Sequence, residues 1–149
     1  MNYIEEFDKL KTKVLKYILF KKRTENEVRQ KFKSDEGELL NDVIDELKEL
    51  GYIDDEIYIE KAIKEYMNLR NLSIKEIEYK LISKGIKKDL IDNYIYNNKE
   101  MLLEYEIKSA KNIILKKINS QDKEEILTGL KKKRYMEESL NLAMQEIEE

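Results

Sequence analysis

Apolar residues recur at three- and four-residue spacing along most of the chain, a pattern that predicts a series of amphipathic helices. The first apolar stripe consists of Phe7, Leu10, Val14 and Ile18. Similar stripes run from Ile59 to Leu69 and from Leu103 to Ile118. The chain contains four glycines and no proline, so few tight turns are available to bound strands. A β-sandwich or a doubly wound sheet is therefore disfavoured.

Three short segments that follow these stripes repeat at an interval of 49 residues. Each begins with a helix N-cap residue followed three positions later by glutamate, as in Thr24 with Glu27, Ser73 with Glu76, and Asp122 with Glu125. In such a capping box the two residues satisfy each other's free backbone N–H groups. Aspartate gives the weakest form of the box. We predict a short helix at each segment, the second helix of a three-helix unit.

A third helix is predicted after each short one. Its apolar positions are Leu40, Val43, Ile44, Leu47 and Leu50 in the first unit, Leu90, Ile91, Tyr94 and Ile95 in the second, and Met136, Leu140, Ala143 and Ile147 in the third. In the first unit we expect Asp35, with Glu38, to open this helix. The predicted fold is all-α, an elongated array of three tandem three-helix repeats over residues 1–51, 52–97 and 98–149. Such an array presents a long concave surface, which suits a polymer or a large partner better than a small substrate.

Three of the glycines bear on this arrangement. Gly51 and Gly85 fall just past an apolar stretch, where a left-handed residue commonly ends a helix. Gly129 lies inside the third short helix, where it costs about 1 kcal/mol relative to alanine. Either the helix packs closely against a neighbour there, which we favour, or the third unit is loosely formed.

Composition removes many classes of function. Because the chain has no cysteine and no histidine, disulfides, zinc fingers, cysteine nucleophiles and histidine bases are excluded. An enzyme could then work only through carboxylate, tyrosine or lysine chemistry. We predict no enzymatic activity, no cofactor and no metal. No apolar run approaches the length of a membrane span, and residues 1–6 are acidic rather than basic. The expected location is the cytoplasm.

Charge is segregated although the net charge is only −3. Residues 34–60 contain one basic and eleven acidic residues, whereas residues 61–135 contain eighteen basic and eleven acidic ones. Alternating blocks of this kind produce a dipolar surface. The acidic block could face a basic partner, or it could be plain solvated surface.

Three strings resemble the RecX family, whose members regulate the RecA recombinase. They are Leu47-x-x-x-Gly51-Tyr52-Ile53-Asp54-Asp55, Thr24-x-x-Glu27-Val28-x-x-Lys31-Phe32, and Ile74-x-x-Ile77-x-x-x-Leu81-x-x-Lys84-Gly85-Ile86. They occur in the family's order, and the resemblance covers about residues 10–147. It implies a non-enzymatic inhibitor that binds the RecA–single-stranded-DNA filament and limits its extension or activity in DNA repair and recombination. It also implies a monomer with no membrane contact that binds single- or double-stranded DNA, if at all, without sequence preference.

Two alternatives stay open from the residues alone. The chain could be a general DNA-binding helical module, or a scaffold that docks a helix of another protein on its apolar seams. For a filament regulator or a DNA-binding module, contacts are expected from basic residues near helix ends and turns. The candidates are Lys21, Lys22, Arg23, Lys31, Arg70, Lys80, Lys84, Lys87, Lys88, Lys131, Lys132, Lys133 and Arg134. Each cluster could instead be solvated helix surface.

The junction at residues 51–55 is interpreted as structural. We expect Gly51 to end one helix, Tyr52 and Ile53 to fill the seam between units, and Asp54 or Asp55 to cap the next helix. Tyrosines could stack on bases, but Tyr17, Tyr66 and Tyr94 lie on or beside apolar stripes and are expected in the core or at seams.

Overall fold

The computed structural model describes residues 2–149, and the regular secondary structure of this part of the chain is entirely helical, without a strand. The all-α prediction is confirmed. The helices are α1 (Tyr3–Phe20), α2 (Glu25–Lys31), α3 (Glu38–Glu49), α4 (Asp55–Leu69), α5 (Ile74–Ser83), α6 (Lys88–Asn97), α7 (Lys99–Lys117), α8 (Lys123–Lys132) and α9 (Glu137–Glu148), with a 3-10 helix at Lys33–Asp35.

The helices pack in three successive groups, each with its own apolar cluster. Helix α1 contacts α2 and α3, α4 contacts α5 and α6, and α7 contacts α8 and α9. The first cluster lies entirely between Phe7 and Ile53. The second also takes in Leu102 and Tyr105 of α7, and the third extends from Ile107 to Ile147. This grouping is consistent with three units, whose exact boundaries stay a prediction.

The molecule exposes more surface than a compact protein of its mass. Its accessible area is 9842 Å², whereas a globular monomer of this size exposes about 8,000 Å². The excess is the expected result of small units that touch only their neighbours along the chain. Little of the surface of one group is therefore covered by a non-adjacent group.

Three of the predicted helix starts are confirmed. Both halves of the capping box are formed at Thr24 and at Ser73, and the Asp54 side chain accepts from the Ile57 N–H at 3.1 Å. The capping box predicted at Asp122 is not formed, since the side chain of this exposed residue caps no backbone N–H of α8. The prediction for Asp35 was wrong, since this residue lies in the 3-10 helix and α3 begins after Gly37, whose φ is 137°.

Of the three glycine predictions, two are confirmed and one was wrong. Gly51 and Gly85 have φ values of 83° and 77°, so both end a helix in the left-handed region as predicted. A Cβ atom at Gly85 would lie 2.2 Å from the Asn26 side chain, so the chain approaches α2 closely there. At Gly129 a Cβ atom would meet nothing within 4 Å. The expectation of close packing at Gly129 was wrong.

The junction residues also differ in their roles. Ile53 is 3% exposed and belongs to the first apolar cluster. Tyr52 is 43% exposed, so the expectation that it fills the seam was wrong. It follows Gly51 in a turn that leaves its ring in solvent, while the next residue points inward. The half-buried rings of Tyr17, Tyr66 and Tyr94 pack against the clusters, as expected.

Candidate functional site

Two seams join the three groups of helices through the same hydrogen bonds. At the first seam, the Thr24 hydroxyl accepts from the Glu27 N–H at 3.1 Å and donates to the Lys84 carbonyl at 2.9 Å. At the second seam, the Ser73 hydroxyl accepts from the Glu76 N–H at 3.1 Å and donates to the Lys133 carbonyl at 2.5 Å. Both hydroxyls reach 60 residues ahead. Each capping residue therefore also ties its short helix to the end of the next one.

Carboxylates complete both seams by accepting from the first amide of a short helix. The Glu25 N–H donates to Asp55 at 3.0 Å, and the Ile74 N–H donates to Glu106 at 2.7 Å. Glu106 is 0% exposed, and its other oxygen accepts from the Met136 N–H at 2.8 Å. These N–H groups have no partner within their own helix. The carboxylates thus satisfy them from a neighbouring helix and join the units.

The first seam brings together basic turns that are distant in sequence. Lys21 and Lys22 follow α1, and Lys84 follows α5. Because Thr24 bonds to the Lys84 carbonyl, these turns adjoin. A groove of about 350 Å³ opens beside them, which we call the basic groove. It is lined by Lys21, Lys22, Lys61 and Lys84, with Tyr58, Ala62, Glu65 and Tyr66.

Neighbouring candidate residues are partly engaged within the protein. The Arg23 guanidinium lies 4.1 Å from the centre of the Tyr17 ring and 3.9 Å from Glu27. The Lys84 ammonium lies 3.9 Å from the same carboxylate. Lys31 and Lys80 reach over tyrosine rings at 5.8 and 5.9 Å. Of these four side chains only Lys84 lines the basic groove, and each of the four has an internal partner. Lys21 and Lys22, by contrast, are exposed.

Lys87 and Lys88 do not join the basic groove. Lys87 lines a separate groove of about 330 Å³ with Lys48 and several carboxylates, among them Glu25 and Asp55. Lys88 pairs with Asp92 at 2.9 Å. The surface on that side of the first seam is therefore mainly acidic.

The second seam carries basic residues in a different arrangement. Lys133 donates to the Asn71 carbonyl at 2.8 Å and lies 3.9 Å from Glu76. Arg70 ends α4 with a φ of 50°, and Arg134 has a φ of 71° at the position 49 residues after Gly85. Arg134, Lys131 and Lys132 are exposed. The structure thus places one group of the predicted basic residues at each seam rather than all of them on one continuous site.

Burial changes the pKa values of several groups at the first seam. It raises the pKa of Tyr58 to about 12, helped by the nearby Glu27. Burial also raises the pKa of Asp55, and the hydrogen bond from the Glu25 N–H offsets only part of this. For Glu25, burial alone would raise the pKa, but hydrogen bonds from Lys48 and Arg29 outweigh it and the net pKa is lowered.

The sequence did not indicate the part that three of these residues play at the seams. Lys61 lies on a helix face whose pattern gives no sign of the neighbouring turn, and Asp55 was considered only as a cap. Glu106 lies inside α7, where a glutamate ordinarily faces solvent. A carboxylate within an apolar stripe was the only available signal for Glu106. Among residues 2–149, no helix combines the length and apolarity of a membrane span, and no cluster of acidic side chains forms a metal site.

The known proteins that this chain resembles are regulatory proteins, and those with solved structures share its all-helical fold. No family model matches the chain. The Regulatory protein RecX of Staphylococcus carnosus is 31% identical over 139 residues, which cover 90% of this chain and 52% of that protein. That of Clostridium acetobutylicum is 34% identical over 121 residues, which cover 77% of this chain and 53% of that protein.

Two solved structures share the fold. The crystal structure of RecX from Lactobacillus salivarius matches with a TM-score of 0.81 at 20% identity, covering 97% of this chain and 98% of that one. Another crystal structure of regulatory protein RecX matches with a TM-score of 0.80 at 20% identity, covering 96% of this chain and 73% of that one. The chain belongs to the RecX family. It spans about half the length of the two curated relatives described above.

Proposed function

We propose that this protein is a non-enzymatic regulator that binds the RecA–single-stranded-DNA filament and limits its extension or activity. Membership of the RecX family supports this role. The observation that carries the proposal is the recurrence of basic turns at both seams of an extended helical array. A partner with a regular, anionic surface is the kind that such an array can contact at more than one point.

The basic groove at the first seam is the proposed contact with phosphate. Lys21, Lys22 and Lys61 offer ammonium groups to one opening between two units. Lysine binds phosphate as a point charge and lacks the paired geometry with which arginine reads guanine. Binding through this groove is therefore expected to be independent of DNA sequence and to weaken as salt is raised.

The test is the ATPase rate of RecA assembled on single-stranded DNA, titrated with this protein. The native chain is expected to inhibit below a one-to-one ratio with RecA. The triple variant Lys21→Glu, Lys22→Glu, Lys61→Glu is expected to inhibit only at much higher concentration. Its affinity for the filament should also depend less on salt. The slope of the logarithm of the binding constant against the logarithm of the salt concentration should become shallower by about one per lost phosphate contact.

A charge-matched variant controls for net charge. Lys9→Glu, Lys13→Glu, Lys16→Glu makes the same change at exposed residues of α1 that lie outside the groove lining, and it should inhibit like the native chain. Unchanged ATPase and filament length at saturating native protein would overturn the proposal. If oligothymidylate bound to the basic groove in that case, the DNA-binding module would be the better description.

A further inference from the structure

The two seams share an architecture but differ in how firmly they are joined. At the second seam, the Tyr105 hydroxyl donates to the Leu72 carbonyl at 2.7 Å, and Ser109 donates to the same carbonyl at 3.2 Å. The hydroxyls of Ser109 and Tyr135 are 2.6 Å apart. Asn112 adds a bond to the Arg70 carbonyl at 3.0 Å. Helix α7 also shares the second apolar cluster, so the second and third units form one continuous body.

The first seam lacks the residues for these contacts. Ile86, which is 49 positions before Tyr135, carries no hydroxyl. The first apolar cluster ends at Ile53, at the connection between the units. Direct contact is concentrated where Thr24 and Glu25 meet Lys84 and Asp55, and where Asn26 approaches the backbone of the second unit. Open grooves lie on both sides of this contact.

Charge adds to this difference. Lys21 and Lys22 of the first unit line the basic groove together with Lys61 and Lys84 of the second, and Glu65 is the one carboxylate of the lining. Like charges gathered in one groove repel each other, and an anion bound among them makes the interaction attractive. Burial raises the pKa of Asp55, and the hydrogen bond from the Glu25 N–H offsets only part of this. The first seam is joined by fewer hydrogen bonds than the second.

We infer that the first seam is a hinge and that a linear chain of phosphates bound in the basic groove closes it. Phosphates along the groove contact lysines of both units at once and hold the first unit against the second. The inference rests on the proposed function in one respect, because the phosphates that close the hinge on a RecA filament would be those of its single-stranded DNA. The hinge itself follows from the difference between the two seams.

Two equivalent amides report on the two seams. Glu25 and Ile74 are the first residues of α2 and α5, and each donates its N–H to a carboxylate of the following unit. Their hydrogen exchange therefore measures the opening of each seam separately. In the free protein, the protection factor of the Glu25 amide should be at least about tenfold below that of the Ile74 amide.

Oligothymidylate and inorganic polyphosphate are the ligands for the test. Saturation with either should raise the protection of the Glu25 amide about tenfold and leave that of Ile74 unchanged. The variant Lys22→Glu, Lys61→Glu, with one substitution in each unit, should lose the increase. Lys9→Glu, Lys13→Glu should retain it. Circular dichroism confirms that each variant keeps its native helix content.

Three results would overturn the inference. One is equal protection of the two amides in the free protein, which would show that the first seam is as closed as the second. Another is ligand binding with no change at Glu25. The third is an increase with oligothymidylate but not with polyphosphate, which would assign closure to the bases. None of these measurements involves RecA, so they are separate from the ATPase test of the proposed function.

Discussion

Glu106 provides the sharpest test of how the units are held together. Its two oxygens accept from the N–H groups of Ile74 and Met136 at 2.7 and 2.8 Å. Both N–H groups lie at helix starts, of α5 and α9, where the helix dipoles also favour a negative charge. A hydrogen bond to a charged group contributes about 1.5–3 kcal/mol, and a buried N–H left without a partner carries a penalty of its own. We therefore expect Glu106→Ala to lower the free energy of unfolding by about 4 kcal/mol.

The assay is urea unfolding followed by circular dichroism. Glu104→Ala is the matched control, because this exposed residue lies on the same helix two positions away. Both variants gain the same helix propensity, so Glu104→Ala should stay within about 0.5 kcal/mol of the native chain. Glu106→Gln keeps one acceptor oxygen but turns an amide toward the other N–H. Its loss should fall between those of the two alanine variants.

The unfolding curve of Glu106→Ala should also change shape. Glu106 joins the second and third units, and the stability of a repeat array depends on the interfaces between neighbours. Weakening this seam should uncouple the third unit, so the transition broadens and its denaturant slope falls. A loss below about 1 kcal/mol for Glu106→Ala would refute the reasoning, as would a glutamine variant indistinguishable from the native chain.

Three further outcomes follow from single residues. Gly129→Ala should raise the free energy of unfolding by about 0.5–1 kcal/mol in urea, since the helix is open there; a decrease would mean that the site is crowded. Gly85→Ala should lower the free energy of unfolding by about 2 kcal/mol, because it adds a contact with Asn26 to the cost of a left-handed backbone. Gly51→Ala has only the backbone cost and should lower it by about 1 kcal/mol. Equal losses for the two variants would argue against the close approach at Gly85. Tyr58 should ionise near pH 12 in a near-ultraviolet titration. Because its folded pKa lies above the unfolded value of about 10, its contribution to stability is complete below pH 10 and is lost as pH rises above it, and Tyr58→Phe should remove this part of the alkaline destabilisation.

The repeat pattern was the part of the sequence that could be interpreted most directly. The 49-residue interval located the capping boxes at Thr24 and Ser73, because a cap, a glutamate and an apolar face are all local features. The apolar stripes likewise located all three long helices. The same locality explains the error at Asp35, where a suitable cap residue preceded a glycine whose backbone conformation decided where α3 begins.

Contacts between units could not be predicted in this way. The hydroxyl donors of Thr24 and Ser73 lie 60 residues from their acceptors at Lys84 and Lys133. These acceptors are backbone carbonyl oxygens, which every residue has, so the residue type gives no signal for them. Glu106 looked like any other helical glutamate. At Gly129 the sequence left two explanations open, and only the space around the residue could decide between them. Local rules describe how α2 and α5 begin, whereas the seams depend on distances across the fold.

The seam hydrogen bond gives the array a direction. A hydroxyl is both acceptor and donor, so Thr24 and Ser73 can cap their own helix and still bind the carbonyl of the unit that follows. Asp122 occupies the third such position, and an ionised carboxylate has no hydrogen to give. Any segment stacked on the third unit in the same geometry would meet two acceptors facing each other. Asp122→Ser would restore the donor, so that a segment stacked there could be bound as the second and third units are.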